Sequence, residues 1–133
     1  MSGLVLACAD GRLHDALLAL QTRLGLEQAD RLLVPGGPAA LLRGEHERLS
    51  ILGWLTMLVP ARDVDTIVLV SHEDCLAYAA RRVAGIDEHA RLDSDLQAAR
   101  ELVSSRLPGA TVATYLIPYQ TATGRFGSAE RRP

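Results

Sequence analysis

Apolar runs short enough for buried strands recur along the chain, and amphipathic stretches separate them. Leu4-Val5-Leu6-Ala7 is continuous and apolar, the length of a strand buried on both faces. Arg31-Leu32-Leu33-Val34 reads as a second strand, stopped at Pro35-Gly36-Gly37-Pro38, where two prolines bar continuation of a ladder. Thr66-Ile67-Val68-Leu69-Val70 is the clearest strand, rich in β-branched residues, and Thr111 to Ile117 is the last. Between them lie helical spacings. Leu13, Ala16, Leu17, Leu20 and Leu24 predict a helix from Leu13 to Leu24, with Gly25 as its stop. Glu45 to Val59 predicts a second, ended by Pro60, with Leu49, Leu52, Trp54, Leu55 and Leu58 available for burial. A short helix is expected through Tyr78 to Val83, and a longer one from Ser94 to Leu107 with Asp93 as N-cap. Pro108-Gly109 and Thr123-Gly124 read as turns, and Ala129 to Pro133 as a frayed tail.

Strands alternating with helices predict an α/β fold: a mostly parallel central sheet of about four strands, flanked by helices on both faces. At 133 residues, with no linker, repeat or low-complexity segment, a single domain spanning 1–133 is expected. In such sheets ligands bind beyond the carboxyl ends of the strands.

Composition narrows the function. The net charge is −2 and the 14 basic residues, all Arg, are scattered, so no field collects nucleic acid or an anionic membrane. No apolar run reaches the length of a membrane span. Val5-Leu6-Ala7-Cys8 faintly resembles a lipoprotein cleavage site, but no basic leader precedes it and the apolar run is too short, so no signal sequence is expected. Two cysteines, Cys8 and Cys75, are too few for a disulfide-stapled secreted domain, and a reducing, cytoplasmic compartment is expected.

Cys8 and the segment His72 to Cys75 each follow a predicted strand, so both could face one crevice. Two thiolates and an imidazole suit zinc, and a zinc with three protein ligands keeps a fourth position for water. The bland reading is that both cysteines are small buried hydrophobes. Asp10 and Arg12, in the same turn as Cys8, could pair, keep the carboxylate ionised and aim it at a metal-bound water, or Asp10 could itself be a fourth ligand; a surface ion pair of little worth is the alternative. Gly11 would let that turn take a conformation closed to other residues. Glu73 and Asp74 are either supports for the ligands or merely exposed. Pro35-Gly36-Gly37-Pro38 could line the crevice or only end a strand; it has neither the spacing nor the Lys of a P-loop. His14, His46 and His89 have no ligand-like neighbours and read as solvated.

Cys8-x-Asp10-x-Arg12 followed by His72-x-x-Cys75 resembles the signature of the β-class carbonic anhydrases, over roughly Leu4 to Phe126. The resemblance implies zinc held by Cys8, His72 and Cys75, an Asp10–Arg12 dyad, and a homodimer or higher homo-oligomer with its active site near the subunit boundary. The chain departs from the family pattern in several places. No counterpart of the family's N-terminal helical arm is expected. Gly11 stands for the usual Ser, and Pro35-Gly36-Gly37 for Asn-Ala-Gly. Ser71 and Leu76 replace glycines. A minimal, divergent member is expected.

The implied activity is reversible hydration of carbon dioxide to bicarbonate by zinc-bound hydroxide, which Asp10, held by Arg12, would orient; with Asp10 on the zinc the site would be closed. Three alternatives stand beside it. One is a carbonyl sulfide or carbon disulfide hydrolase on the same site. Another is a non-catalytic zinc-binding protein. The last is a Cys8 thiolate nucleophile, a reading that leaves His72 and Cys75 without a task.

Overall fold

The computed structural model describes residues 2–79 and 88–133. Its centre is a five-stranded sheet whose strands lie in the order Asp30–Val34, Gly3–Cys8, Thr66–His72, Thr111–Ile117 and Glu130–Arg132 (β2, β1, β3, β4 and β7). β1 (Gly3–Cys8) pairs in parallel with β2 (Asp30–Val34) on one side and with β3 (Thr66–His72) on the other. β3 pairs in parallel with β4 (Thr111–Ile117), from Thr66 opposite Thr111 to His72 opposite Ile117. All six residues of β1 are buried, as are six of the seven in β3. That two-sided burial is why these segments read as unbroken apolar runs rather than alternating ones.

The two faces of the sheet bury separate cores. Val5, Ala7, Val68, Val70 and Tyr115 pack with Leu13, Leu17 and Leu20 from α1 (His14–Leu24) and the 3₁₀ turn before it. Leu4, Leu6, Ile67, Leu69 and Val112 point the other way. They meet Ile51, Leu52 and Leu55 of α3 (Glu45–Ala61) and Leu96, Ala99 and Val103 of α5 (Glu88–Arg106). Each fully buried leucine contributes on the order of 2 kcal/mol. Two short helices complete the described chain, α2 (Ala40–Arg43) before α3 and α4 (Leu76–Ala79) after β3. No helix among the described residues is long and apolar enough to cross a membrane.

Several sequence expectations need correction. The tail is not frayed: Glu130–Arg132 forms β7, antiparallel to β4, with Thr114 opposite Arg132. It is anchored by the Thr114 hydroxyl donating to the Arg132 carbonyl (2.8 Å), by Arg23 Nη2 donating to the Ala129 carbonyl (2.7 Å), and by burial of Ala129. A charged edge strand carries no apolar alternation, so the pattern concealed it. Asp93 is no N-cap, because α5 begins at Glu88; it instead pairs with Arg132 Nε at 3.2 Å. Pro60 does not stop α3, which runs one residue further to Ala61. Of the α3 residues offered for burial, Leu52 and Leu55 are in the core, whereas Leu49 and Trp54 are more than half exposed. The expected helix end at Val83 and the side chain of His89 lie outside the described residues. Gly25 does end α1, in the left-handed conformation (φ 70°).

Candidate metal centre and cleft

β1 and β3 run to Cys8 and His72 themselves, so both residues are held by the strand ladders instead of lying just beyond them. Cys75 reaches the same point because the chain reverses at Asp74, which takes a left-handed φ of 55°. Asp tolerates that region better than most residues, at a cost of about 1 kcal/mol. The outcome is a buried group: one ligand atom from each of Cys8, His72 and Cys75, all within 4.8 Å of one another, with the two sulfurs 4.0 Å apart. His72 Nδ1 lies 2.7 Å from the Glu73 carbonyl, to which it can only donate. Nε2 then bears the lone pair, and it is buried with no hydrogen-bond partner. An orphaned imidazole nitrogen facing two buried sulfurs is what a metal ligand set requires.

The thiols are electrostatically unequal. Cys8 is pulled down to about 4 by a hydrogen bond from Cys75, helped by His72 and the Gly36 amide, against the cost of burial. Cys75 is pushed up, chiefly by the Cys8 sulfur and then by burial. The Gly36 N–H donates to Cys8 Sγ at 3.3 Å, so the Pro35-Gly36-Gly37-Pro38 loop lines the site and does more than end β2. Gly37 is fixed there sterically. At φ 56°, a Cβ on it would sit 2.9 Å from the Cys8 nitrogen and 3.2 Å from the Val70 carbonyl oxygen.

Asp10 and Arg12 stand at the mouth of this group. Arg12 donates to Asp10 through its backbone N–H (3.0 Å), Nε (3.1 Å) and Nη2 (2.7 Å). These bonds hold the Asp10 carboxyl below the usual carboxylate range, and Asp10 in turn raises Arg12. Both Asp10 oxygens are taken by Arg12, and Asp10 lies outside the group of converging ligand atoms. Arg12 also reaches across the cleft, with Nη1 to Asp74 Oδ2 at 3.0 Å and Nη2 to the Asp74 carbonyl at 3.2 Å. Asp74 is thus no idle exposed residue: its left-handed turn is tied to the Cys8 loop. Glu73 likewise accepts from the Tyr119 amide at 2.8 Å.

A hairpin completes the support. β5 (Tyr119–Gln120) and β6 (Arg125–Phe126) place Phe126 edge-on to the His72 ring (5.3 Å, 87°), with the Arg12 guanidinium 5.0 Å from its centroid. Phe126 therefore touches both halves of the site, a role that the sequence reading did not assign. Of the remaining histidines, His14 is exposed beside Arg31, 3.3 Å away.

These residues open into a cleft of about 910 Å³, also lined by Pro35, Leu76, Ala77 and Arg43. Arg43, paired with Glu47, was not picked out from sequence. Only its place one helical turn beyond the Pro-Gly-Gly-Pro loop could have drawn notice.

The family model described as "Putative carbonic anhydrase" matches residues 1–123. The chain belongs to that family. Its carbonic anhydrase fold is similar to solved structures at low identity. A carbonic anhydrase from Streptococcus mutans is 17% identical with a TM-score of 0.60, covering 98% of this chain and 81% of that one. The β-carbonic anhydrase CafA of Aspergillus fumigatus is 16% identical with a TM-score of 0.52, over 97% and 74% of the two chains. A carbon disulfide hydrolase in its apo form is also 16% identical at 0.52, over 95% and 77%. Among curated sequences, a Rickettsia bellii protein described only as uncharacterized is 27% identical over 124 residues, 87% of this chain and 76% of its own length. A similarly described protein of Rickettsia conorii is 28% identical, over 87% and 67%.

Proposed function

We propose that this family member binds zinc through Cys8, His72 and Cys75 and catalyses the reversible hydration of carbon dioxide to bicarbonate. The observation that carries the proposal is the buried Cys-His-Cys group, with His72 Nε2 unsatisfied, beside a carboxylate clamped by arginine. Bound there, zinc would supply Lewis acidity and lower the pKa of a water to about 7. Asp10, ionised and fixed by Arg12, accepts a hydrogen bond from the attacking water and aims its lone pair at the substrate carbon. With both carboxylate oxygens on Arg12, Asp10 would stand beside a metal held by Cys8, His72 and Cys75 and not among its ligands. Glu73 fixes the His72 tautomer through its carbonyl, and Phe126 keeps the imidazole and the guanidinium in place. Pro35, Leu76 and Ala77 give the cleft an apolar wall suited to a small neutral substrate. The same wall suits carbonyl sulfide or carbon disulfide, the second reading, and parallel assays of the three substrates choose between them.

The chain acts as one domain, 1–133, in a reducing cytoplasm, a reading supported by both cysteines being free and committed to the site. It works as a homodimer or larger homo-oligomer. The exposed Leu49, Trp54 and Met57 on α3 support that state, and light scattering of the purified protein tests it. The function is tested by stopped-flow hydration of carbon dioxide on zinc-loaded protein. Wild type is expected to be active, and Asp10→Asn to lose about 100-fold or more while retaining its zinc. Full activity in Asp10→Asn would remove Asp10 from the mechanism, and bound zinc without turnover of any of the three substrates would make the site structural.

A further inference from the structure

The cleft holds a second arginine that the metal site does not use. Arg43 closes α2 with its side chain only 17% exposed, and its Nε donates to Glu47 Oε2 at 2.7 Å. Among the described residues this is the guanidinium's hydrogen bond, and Nη1 and Nη2 carry none. The guanidinium approaches Gly36 with Nη1 nearest: a Cβ built there would fall 2.8 Å from Nη1 and 3.5 Å from Cζ. Gly36, at φ 85°, is the residue whose amide donates to Cys8 Sγ at 3.3 Å. One residue of backbone therefore separates an under-used guanidinium from the candidate metal centre, and both face the same cleft.

The charges around it matter. Asp10, Asp74, Glu47 and Glu88 also line the cleft. Asp10 and Asp74 share the single charge of Arg12, whose Nε, Nη1 and Nη2 are all engaged. An anion entering the cleft thus finds N–H groups on Arg43, with Glu47 as its competitor. The free edge of the fork presents two parallel donors, which match a planar O–C–O group and not a spherical ion.

We propose that Arg43 and the metal centre form a two-point site for a small planar monoanion of the bicarbonate and carboxylate class. The inference rests on the hydratase reading for the natural ligand, the bicarbonate that the reaction releases, but the site itself can be tested without turnover. Glu47 holds the fork in place by its Nε and, as a competing carboxylate, keeps the anion from binding too tightly to leave.

The probe is sodium acetate, a planar monoanion that cannot react. It is titrated calorimetrically into zinc-loaded wild type, Arg43→Met, Arg43→Lys and Glu47→Gln, with zinc content measured on each. Arg43→Met is expected to weaken acetate about fivefold, the worth of a charge-assisted pair discounted for the Glu47 competitor. Arg43→Lys, which keeps the charge and loses the fork, falls between. Glu47→Gln tightens acetate about twofold. Bicarbonate, as product inhibitor of hydration, shifts in the same order. Equal acetate affinity in wild type and Arg43→Met, with zinc retained, overturns the proposal, as does a wild type that binds no acetate. Should Arg43→Met fail to fold, the other two variants decide: opposite shifts support the site, and no shift in either overturns it. A wild type that binds acetate through Arg43 yet hydrates no carbon dioxide keeps the site and discards the hydratase reading.

Discussion

Two arginines face one cleft and are used in opposite ways. Arg12 is saturated. It grips Asp10 with backbone and side chain, ties down the strained turn at Asp74, and packs on Phe126. Among the described residues Arg43 makes a single ion pair, with Glu47 four positions on, and its Nη1 lies against a glycine. A guanidinium with all three nitrogens engaged by the protein acts as a structural clamp; one with donors left over in a cleft is the candidate for binding. The contrast shows that the type of residue lining a site says little until its hydrogen bonds are accounted for.

The comparison is broken most severely at Arg12. Arg12→Ala frees Asp10 and leaves the Asp74 turn untied, and hydration is expected to fall about 100-fold. Arg12→Lys should recover only part, because one ammonium cannot span both carboxylates. If Arg43→Ala caused the same loss as Arg12→Ala in stopped-flow assays, the division of labour would be wrong.

The loop between the two arginines gives the next largest effect. Gly37→Ala would place a methyl group against the Cys8 backbone at a positive φ, costing about 2–3 kcal/mol in urea unfolding. An unchanged midpoint would mean that the loop can move without disturbing Cys8.

Phe126→Ala removes the ring that touches His72 and Arg12 together. Zinc affinity is expected to drop about tenfold, the order seen when groups orienting metal ligands are lost, while Phe126→Tyr stays near wild type. Competition with a chelating indicator dye measures it.

The smallest effect belongs to Asp74→Gly. It deletes an ion pair whose partners are both about half exposed, and it relieves a left-handed φ. These changes nearly cancel, and stability should move by less than about 1 kcal/mol. A larger loss would show that Asp74, more than Asp10, holds Arg12.

Much of this was legible in the sequence because burial on both faces leaves a signal. β1, β3 and β4 announce themselves as apolar runs, and a metal-ligand pattern at two strand ends puts Cys8, His72 and Cys75 together without any coordinates. The Asp10–Arg12 pair was legible for the same reason: it is local. What stayed hidden was long-range or unpatterned. Arg12 meets Asp74 across 62 positions, and no periodicity encodes a left-handed turn. β7 is a charged edge strand, indistinguishable from a tail. Leu49 and Trp54 looked like core because apolarity alone does not say which side of α3 faces the sheet. Arg43 looked like any other arginine.

The most direct test of the central claim is zinc content per chain, measured by atomic emission on wild type and Cys75→Ser purified together under reducing conditions. The account predicts about one zinc per chain in wild type, lost or sharply reduced in the variant. No zinc in wild type after reconstitution, or equal zinc in both proteins, would contradict it.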